Sequence, residues 1–496
     1  MIFIQKIFIH KHTLLILGAA FFLCIPSIGG AEFFRWVALV PLLFVITMHG
    51  VSIKRHATHL WLIGFLFLLF QYSIYWGLLP LDWLGIESTF LGALIIFSLW
   101  LLVASVLALP FLLLLFARNN PALVIVLWPV QEFIRAVLYS VVSLGSSSII
   151  GDTLTYGLLG YSIHTSSLLL ALTPYLHLYG ISALIVLINV LFFYTVRAYI
   201  YTRKKIIIAG ITIMVAGLLL IEVFPITRIL SAQKQIEVIA LQGDNPFLFG
   251  YTQEYFIQVA NHYKKGITES LAQYPNTQLV VIPEASQFVR TLSEVENKTP
   301  KTVAQELLPS DKYRILVYGD YDAERNVSLV KGISNVSTER EYETEKRLLM
   351  PLGEYQPYIV EVMARLWGSK EWVSDLLFYR NLRLPPQLPH AFETQMGSIV
   401  SVSCSEVFAG ITYRYIQKQN PDIIIHLQRL ASFHGDTRAF YEGLRVSKFR
   451  AAELHKPIVG AVDGSGYSYI IDARGNVVSI GNKDSLFVHG TITIPQ

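Results

Sequence analysis

The sequence predicts a protein of two parts, a polytopic α-helical membrane domain over residues 1–230 and a layered α/β domain over residues 231–496. The 496 residues are 53% hydrophobic and only 15% charged, whereas soluble proteins average about 25% charged residues. Residues 1–230 carry 12 Lys and Arg with 6 Asp and Glu, while residues 231–496 carry 27 with 29. This pattern argues against an ordinary soluble enzyme, and the presence of only Cys24 and Cys404 excludes a disulfide-rich scaffold.

Seven apolar runs in the first part have about the length that a membrane-crossing helix needs, which is roughly 20 residues. They are residues 13–30, 34–49, 58–79, 90–117, 122–143, 178–198 and 205–226. The second run is short, and the fifth contains Pro129. Lys6 and Lys11 precede the first run as they would in a signal peptide, but no obvious small-residue cleavage site follows, so we expect this helix to be retained.

The basic residues predict the orientation of these spans, because cytoplasmic loops are the ones enriched in Lys and Arg. If the seven spans alternate in direction, the loops on one side carry nine basic residues: Lys6, Lys11, Lys54, Arg55, Arg118, Arg197, Arg203, Lys204 and Lys205. The loops on the other side carry one basic residue, Arg35, and the acidic residues Asp82, Glu87 and Asp152. We therefore expect a cytoplasmic N-terminus and an α/β domain on the outer face of the membrane.

The fifth apolar run contains two ionisable residues, Glu132 and Arg135, three positions apart. Charges at this depth are costly unless they are paired or face a wet cavity. Two interpretations stay open at this point. The residues form a self-neutralising structural pair between helices, or they line an entrance for a lipid headgroup.

The second part has short runs of β-branched residues, which favour buried strands. These runs are residues 236–241, 279–282, 315–318, 399–402, 423–427 and 467–471. A helix is predicted after the first run, because five apolar residues recur at spacings of three and four: Phe256, Val259, Tyr263, Ile267 and Leu271. Another helix is predicted over residues 437–455, before Pro457. No dinucleotide-binding, P-loop or metal-ligand motif is present, so the sequence predicts no cofactor, no metal and no nucleic-acid partner.

The first motif that could carry chemistry ends the predicted strand at residues 279–282. Pro283 and Glu284 follow this strand directly, and clefts of α/β proteins form at the carboxyl ends of strands. Partial burial would raise the pKa of a carboxyl group there and make it a usable general base. The equal alternative is a glutamate that caps the next helix.

The second motif combines a cation and an anion across a tight turn. Lys346 and Arg347 precede the turn Pro351-Leu352-Gly353, and Glu354 follows it. Charges held by a rigid turn are preorganised, as the stabilisation of an oxyanion requires. A charged surface loop is the simpler interpretation of this motif taken alone.

The third motif places Cys404 at the end of a strand, before a predicted helix start, in the sequence Ser403-Cys404-Ser405-Glu406. A helix N-terminus and a nearby lysine would lower the thiol pKa and favour the nucleophilic thiolate. A buried, inert cysteine is the more common fate of a single cysteine.

Taken together, a glutamate, a lysine and a cysteine in this chain order resemble the Glu-Lys-Cys triad of the nitrilase (carbon–nitrogen hydrolase) superfamily. With the membrane half, the chain resembles the apolipoprotein N-acyltransferase family. The sequence motifs that carry this resemblance include Trp128-Pro-x-x-Glu132-Phe133-x-Arg135, Tyr179-Gly180, Leu241-Gln242-Gly243 and Arg450-Ala451-x-Glu453. The resemblance implies that the second part is a nitrilase-like α-β-β-α sandwich.

The resemblance also implies roles for residues of this chain. Glu284 is the general base, Lys346 stabilises the oxyanion and Cys404 is the nucleophile. Glu354 and Glu406 occupy two further acidic positions that the family requires. Three positions depart from the family pattern: Ser405 stands in place of a tyrosine, and Phe433 and Tyr251 stand in place of tryptophans. The family also usually ends with a further membrane span, whereas this sequence ends at Gln496.

The activity implied is transfer of an acyl chain from a phospholipid, through a cysteine thioester, to the α-amine of a diacylglyceryl-modified lipoprotein. The implied setting is the bacterial inner membrane, with the catalytic domain on the periplasmic face. The departures leave open an amidase or acyl hydrolase, or a degenerate lipid-binding module. Residues 361–390 mix aromatic and basic residues, which predicts either a lid at the membrane interface or a helix packed on the domain.

Overall fold

A computed structural model describes residues 2–202, 205–223, 233–245, 252–284, 286–309, 311–336, 339–366, 382–385 and 388–495. The chain divides into two units. The first unit comprises Met1–Tyr75, Ile95–Tyr139 and Thr155–Thr227. The second unit comprises Trp76–Leu94, Ser140–Leu154 and Arg228–Gln496. The predicted division at residue 230 leaves the loops 76–94 and 140–154 with the membrane helices, whereas the structure assigns both loops to the second unit.

The described part of the membrane half consists of α-helices and 3₁₀ helices joined by non-helical segments. Its α-helices are α1 (Ile2–Cys24), α2 (Val40–Ile46), α3 (Ile53–Gln71), α4 (Thr89–Leu107), α5 (Val124–Val142), α6 (Ser167–Leu170), α7 (Thr173–Thr202) and α8 (Lys205–Val223). Among the described residues, four helical stretches are long and apolar enough to cross a membrane: Ile53–Leu78, Thr89–Ala117, Pro121–Val142 and Thr173–Thr202. A shorter apolar helix covers Thr13–Ser27. The predicted polytopic α-helical membrane domain is therefore confirmed, while its count of seven spans stays a prediction.

The predicted span at residues 34–49 is not one continuous helix. It is divided into a 3₁₀ helix, Glu32–Trp36, and the seven-residue helix α2. Arg35 is fully buried and donates a hydrogen bond to the carbonyl of Ser162, and Asn189 accepts the backbone N–H of Leu39 at 2.8 Å. These internal contacts hold the segment inside the helical unit, because its polar groups find partners there rather than in lipid.

Glu132 and Arg135 are both buried in the first unit. The Glu132 carboxylate accepts the backbone N–H of Leu159 at 2.8 Å, and Arg135 donates to the carbonyl of Gly157 at 3.1 Å. Both side chains therefore fix the backbone just before and within the 3₁₀ helix Leu159–Ile163. These contacts give both residues a structural role through the backbone, while the predicted pairing of one with the other stays a prediction.

The second unit contains a sheet of twelve described strands. They are β1 (Gln233–Gly243), β2 (Leu279–Val281), β3 (Ile315–Asp322), β4 (Val327–Ser334), β5 (Tyr342–Glu345), β6 (Phe392–Thr394), β7 (Gly397–Ser403), β8 (Ile423–Leu430), β9 (Ile458–Gly464), β10 (Tyr469–Ile471), β11 (Val477–Ile480) and β12 (Phe487–Pro495). Its described helices are α9 (Gln253–Gln273), α10 (Phe288–Glu296), α11 (Pro300–Leu307), α12 (Tyr358–Leu366), α13 (Gly410–Gln419) and α14 (Arg438–Leu454).

The strand order is β5-β4-β3-β2-β1-β9-β8-β7-β6, with β12 added to β1 and β10 to β9. Strand β1 pairs with β12 as far as Leu241 and then with β9 at Gln242 and Gly243. It therefore belongs to two half-sheets. The pairs β1–β2, β2–β3, β7–β8 and β8–β9 are parallel, so their carboxyl ends can supply a cleft.

The two half-sheets face each other across one apolar core. Alternate residues of β1 and β2, such as Val238 and Val281, share this core with Ile425 of β8. A second core lies between β1–β3 and the helices α9–α11, with Tyr263 and Phe288 buried in it. On the other half-sheet, α14 packs by Phe440 and Ser447 against Tyr469 of β10. The order helix, sheet, sheet, helix confirms the predicted α-β-β-α sandwich.

Candidate active site

Glu284 is the third residue after β2, near the carboxyl end of the strand, as its position in the sequence predicts. It is only 4% exposed, and its Oε1 atom lies 2.8 Å from the Nζ atom of Lys346. The Pro283 ring that precedes it restricts the backbone as the chain leaves the strand. A buried carboxylate is thus paired with a specific cation, 62 residues away in the chain.

Lys346 is the first residue after β5 and is 3% exposed. Its backbone N–H donates to the carbonyl of Ser328 at 2.9 Å, which extends the pairing of β5 with β4. Its ammonium donates to Glu284 at 2.8 Å and to Oε1 of Glu354 at 2.9 Å. Because an ammonium has three donors and these bonds use two, a third N–H is left for a developing oxyanion.

The turn at residues 350–354 fixes the second carboxylate. The Glu354 backbone N–H donates to the carbonyl of Met350 at 2.9 Å, and the Met350 N–H donates to Oε2 of Glu354 at 2.7 Å. Leu352 has a φ of +67°, a left-handed conformation that a non-glycine residue adopts only at some cost. The turn therefore holds the Glu354 carboxylate in one orientation, toward Lys346.

Cys404 follows the carboxyl end of β7 and opens the 3₁₀ helix Cys404–Phe408. Its φ of +45° is left-handed, so the chain turns sharply at this residue, and its side chain is partly exposed. The Nε2 atom of His426 lies 3.1 Å from the Cys404 carbonyl, and Nδ1 lies 2.7 Å from the Tyr469 hydroxyl. Since a carbonyl only accepts, Nε2 carries the proton and donates it, and Tyr469 donates to Nδ1.

Glu406 joins the turn that carries Lys346 to the turn that carries Cys404. Its Oε2 atom accepts the backbone N–H of Ser403 at 2.8 Å, which completes a capping box at the start of the 3₁₀ helix. Its Oε1 atom accepts the N–H groups of Arg347 at 3.0 Å and Leu348 at 3.1 Å. Ser405 adds a weaker link, since its hydroxyl donates to the carbonyl of Leu348 at 3.3 Å.

The pKa values of these groups reflect both burial and their mutual charges. Burial raises the pKa of Glu284 above its usual range, the Lys346 charge lowers it and the Glu354 charge raises it again. Burial alone lowers the pKa of Lys346, but the charges of Glu284 and Glu354 hold it well above its ordinary value. Burial and the Glu284 charge raise the thiol pKa of Cys404 to about 12, against the effect of Lys346. Burial also raises the pKa of Glu406 to about 7.

These shifts determine how the thiol can react. The charges of Glu284, Lys346 and Glu354 all act on Cys404, so the four groups lie within electrostatic range of one another. The resting thiol is protonated, and loss of its proton to solvent would leave three anions around one cation. Transfer of the proton to Glu284 keeps the net charge constant and is therefore the favourable route.

The structure brings together six of the eight site residues that the sequence predicted: Glu284, Lys346, Cys404, Glu354, Glu406 and Ser405. Phe433 ends the 3₁₀ helix Ala431–Phe433, which follows β8, and is half-buried. Tyr251 lies outside the described residues. The functional roles assigned to all eight residues stay predictions.

The predicted lid at residues 361–390 overlaps helix α12. Tyr358 and Val362 are about half exposed, one turn apart on this helix. Trp367 and Trp372 and most of the segment that follows lie outside the described residues. The lid therefore also stays a prediction.

Sequence reasoning missed two residues beside the nucleophile. His426 is fully buried, and burial lowers its pKa to about 4, so the ring is neutral. The backbone N–H of Arg429 favours the thiolate of Cys404, and the Arg429 charge lowers the pKa of Glu284. The signal for both was available, because they lie on β8, which pairs in parallel with the strand that carries Cys404. Among the described residues, no group of three or more His, Cys, Asp or Glu could hold a metal ion.

Comparison with known proteins gives one family match. Residues 17–191 match the family model of the apolipoprotein N-acyltransferase N-terminal domain. The match confirms the predicted resemblance to this family and covers most of the membrane half. No curated protein matches the chain.

Several solved structures of the nitrilase superfamily are similar to the chain. Nit3 of Saccharomyces cerevisiae, a member of branch 10 of that superfamily, is 14% identical over 53% of this chain and 92% of that chain, with a TM-score of 0.37. An amidase from Nesterenkonia sp. is 10% identical over 54% and 93%, with a TM-score of 0.37. A carbon–nitrogen hydrolase from Helicobacter pylori G27 is 12% identical over 52% and 89%, with a TM-score of 0.37.

Residues 17–191 are thus similar to the apolipoprotein N-acyltransferase N-terminal domain, and the same chain holds Glu284, Lys346 and Glu354 in direct contact, with Cys404 within electrostatic range of them.

Proposed function

We propose that this protein is a phospholipid-dependent N-acyltransferase. It moves an acyl chain through a thioester on Cys404 to the α-amine of the diacylglyceryl-modified cysteine at a lipoprotein N-terminus. It acts in the bacterial inner membrane, with the catalytic domain on the periplasmic face. The family match at residues 17–191 supports the choice of lipid substrates.

The observation that carries the proposal is the position of the Lys346 ammonium between Glu284 and Glu354, at 2.8 and 2.9 Å, within electrostatic reach of the Cys404 thiol. Lipid binding alone does not require a nucleophile that is surrounded by a base and a cation. The four groups are those that acyl transfer through a thioester requires.

In the first half-reaction, the thiol proton of Cys404 passes to Glu284 while sulfur bonds to the ester carbonyl carbon of the phospholipid. The carbonyl oxygen becomes an oxyanion that accepts the third N–H of Lys346, a contact worth about 3–4 kcal/mol if it equals one oxyanion-hole donor. The ester C–O bond then breaks. Glu284 returns its proton to the departing lysophospholipid alkoxide, which leaves a thioester on Cys404.

In the second half-reaction, the α-amine of the acceptor attacks the thioester carbon. Glu284 takes a proton from the nitrogen, and Lys346 again stabilises the oxyanion. The C–S bond breaks to give an amide, and the proton returns to the Cys404 thiolate. A thioester is reactive enough to acylate an amine, so the enzyme replaces one difficult step by two easier ones.

The predicted orientation is supported by the loops that belong to the second unit. The loops 76–94 and 140–154 carry Asp82, Glu87 and Asp152, the acidic residues assigned to the outer side. Asp152 is buried and pairs with both terminal nitrogens of Arg414 at 2.7 Å. Helix α13, which carries Arg414, begins two residues after the Cys404 helix, and this proximity supports an arrangement in which the catalytic residues and these loops are on the same side of the membrane.

A product assay tests the proposal. Purified protein in detergent is given a phospholipid and a synthetic diacylated lipopeptide with an unblocked N-terminus, and the lipopeptide mass is measured. We expect a gain of one acyl chain that requires the α-amine and disappears when that amine is acetylated. Release of fatty acid without any triacylated lipopeptide would contradict the acceptor and indicate a hydrolase.

A further inference from the structure

The 3₁₀ helix Leu109–Ala117 continues α4 in the membrane half and is unusually long for its type. Side chains three apart eclipse each other on such a helix, so its residues form straight rows. One row, Phe111, Leu114 and Ala117, is completely buried. The other two rows, which face a groove, are Leu109, Leu112 and Leu115, and Pro110, Leu113 and Phe116.

The groove has a volume of about 710 Å³. Its other wall is made by Ile53 at the start of α3 and by Ile134 and Leu138 of α5. All of these residues belong to the first unit. Apart from its end at residues 118 and 119, the lining is entirely apolar.

Both rows end on polar residues at the same end of the groove. The row of leucines continues three residues later to Arg118, and the second row continues to Asn119. Arg118 donates to the carbonyl of Val51 at 2.9 Å, which holds its guanidinium at this end. Lys54 and Arg55, both exposed, follow Ile53 in the first turn of α3, where the helix N-terminus adds further positive potential.

The length of the groove matches one leaflet of a bilayer. From Leu109 to Arg118 the chain advances nine residues, or roughly 18 Å at the rise of a 3₁₀ helix. Half of a hydrocarbon core is about 15 Å. The apolar part therefore has the length of one extended acyl chain, and Arg118 directly follows the candidate span Thr89–Ala117, where lipid headgroups are expected.

We propose that this groove is a binding site for a membrane phospholipid with an anionic headgroup, separate from the catalytic pocket. One acyl chain lies between the two rows, and the phosphate accepts hydrogen bonds from Arg118 and Asn119. Lys54 and Arg55 add attraction for the net negative headgroup. Basic pockets between membrane helices on the cytoplasmic side favour such lipids, and Arg118 is on the side that the charge distribution predicts to be cytoplasmic.

Lipid titration followed by native mass spectrometry tests the site on the purified full-length protein. The probes are dioleoyl phosphatidylglycerol, dioleoyl phosphatidylcholine and glycerol 3-phosphate. We expect Arg118→Gln to weaken phosphatidylglycerol binding about five- to tenfold, the effect of one basic contact, and to weaken phosphatidylcholine binding less, because that lipid shares the phosphate but has no net negative charge. Arg197→Gln is the matched control, because Arg197 is predicted on the same side but does not line the groove.

Unchanged phosphatidylglycerol affinity in Arg118→Gln, or an equal loss in Arg197→Gln, would overturn the proposal. So would displacement of the lipid by glycerol 3-phosphate, because the acyl chain would then contribute nothing. A second variant, Leu113→Trp, fills the groove without changing any charge. It is expected to weaken phosphatidylglycerol binding as well, and it decides the question alone if Arg118→Gln does not fold.

Discussion

Glu406 accepts the backbone N–H of Arg347 at 3.0 Å, although 59 residues separate the two in the chain. The same carboxylate accepts the N–H of Ser403, beside the nucleophile. One buried side chain thus sets the spacing between the cation and the thiol of the site. Glu406 is a positioning residue in this arrangement, since it contacts backbone on both turns.

Replacement of Glu406 is expected to reduce both stability and rate. Glu406→Ala leaves three backbone N–H groups without their acceptor, and a buried unsatisfied donor costs about 1–3 kcal/mol. Ser405→Ala is the matched control, because it removes a single long hydrogen bond and is expected to cost about 1 kcal/mol. The measurements are denaturant unfolding and single-turnover acylation. Equal unfolding free energies for the two variants would show that Glu406 does not join the turns.

The pH dependence of acylation reports on Glu284. The base must be ionised, so kcat/KM rises with pH through the pKa of Glu284, which burial and the Glu354 charge hold above its usual range. Glu354→Gln removes a charge that raises this pKa. The acidic limb of the pH profile of kcat/KM is therefore expected to move to lower pH. Glu343→Gln, a change at a partly exposed carboxylate on β5, should leave the limb in place. A shift of the Glu354→Gln limb to higher pH would contradict the role of Glu284.

Replacement of Lys346 is expected to slow acylation far more than it weakens phospholipid binding. Lys346→Met removes a donor that acts on the oxyanion, and such losses reduce the rate about 10²–10³-fold. It also removes the charge that lowers the pKa of Glu284, so the acidic limb should move to higher pH, opposite to Glu354→Gln.

The control for Lys346 is Lys331→Met, which breaks a pair with Asp320 at 2.9 Å in the same domain. Lys331→Met should change neither the acylation rate nor the position of the acidic limb of the pH profile. Equal losses of rate and of phospholipid binding in Lys346→Met would remove the oxyanion role.

The continuous apolar strands were predictable from the sequence, because runs such as 423–427 are buried on both faces. The structure adds six further strands, β4, β5, β6, β9, β11 and β12. Strand β9 contains two glycines and an aspartate, and β12 alternates threonine with isoleucine, so neither has a continuous apolar run. These strands form because they pair with strands that are distant in the sequence, as β12 pairs with β1. A local sequence pattern does not reveal such pairing.

The sequence also predicted that the site residues lie at strand ends. It did not predict the contacts between them. The Glu406 bonds to residues 347 and 348 depend on how two remote turns meet, which no spacing reveals. His426 has no metal-ligand spacing in the sequence, and only the structure shows that its ring donates to the Cys404 carbonyl. The segment at 34–49 forms two short helices rather than one long helix, and its hydrophobicity accompanies burial among helices.

The most direct test of the thioester mechanism is the intact mass of the protein after incubation with phospholipid in the absence of an acceptor. We expect a gain of one acyl chain that hydroxylamine removes, that Cys404→Ala abolishes and that Cys24→Ala, the matched control at the only other cysteine, preserves. Addition of a diacylated lipopeptide should then return the mass to that of the unmodified protein. An unmodified mass in the wild type, or an acyl adduct that persists in Cys404→Ala, would contradict catalysis through Cys404.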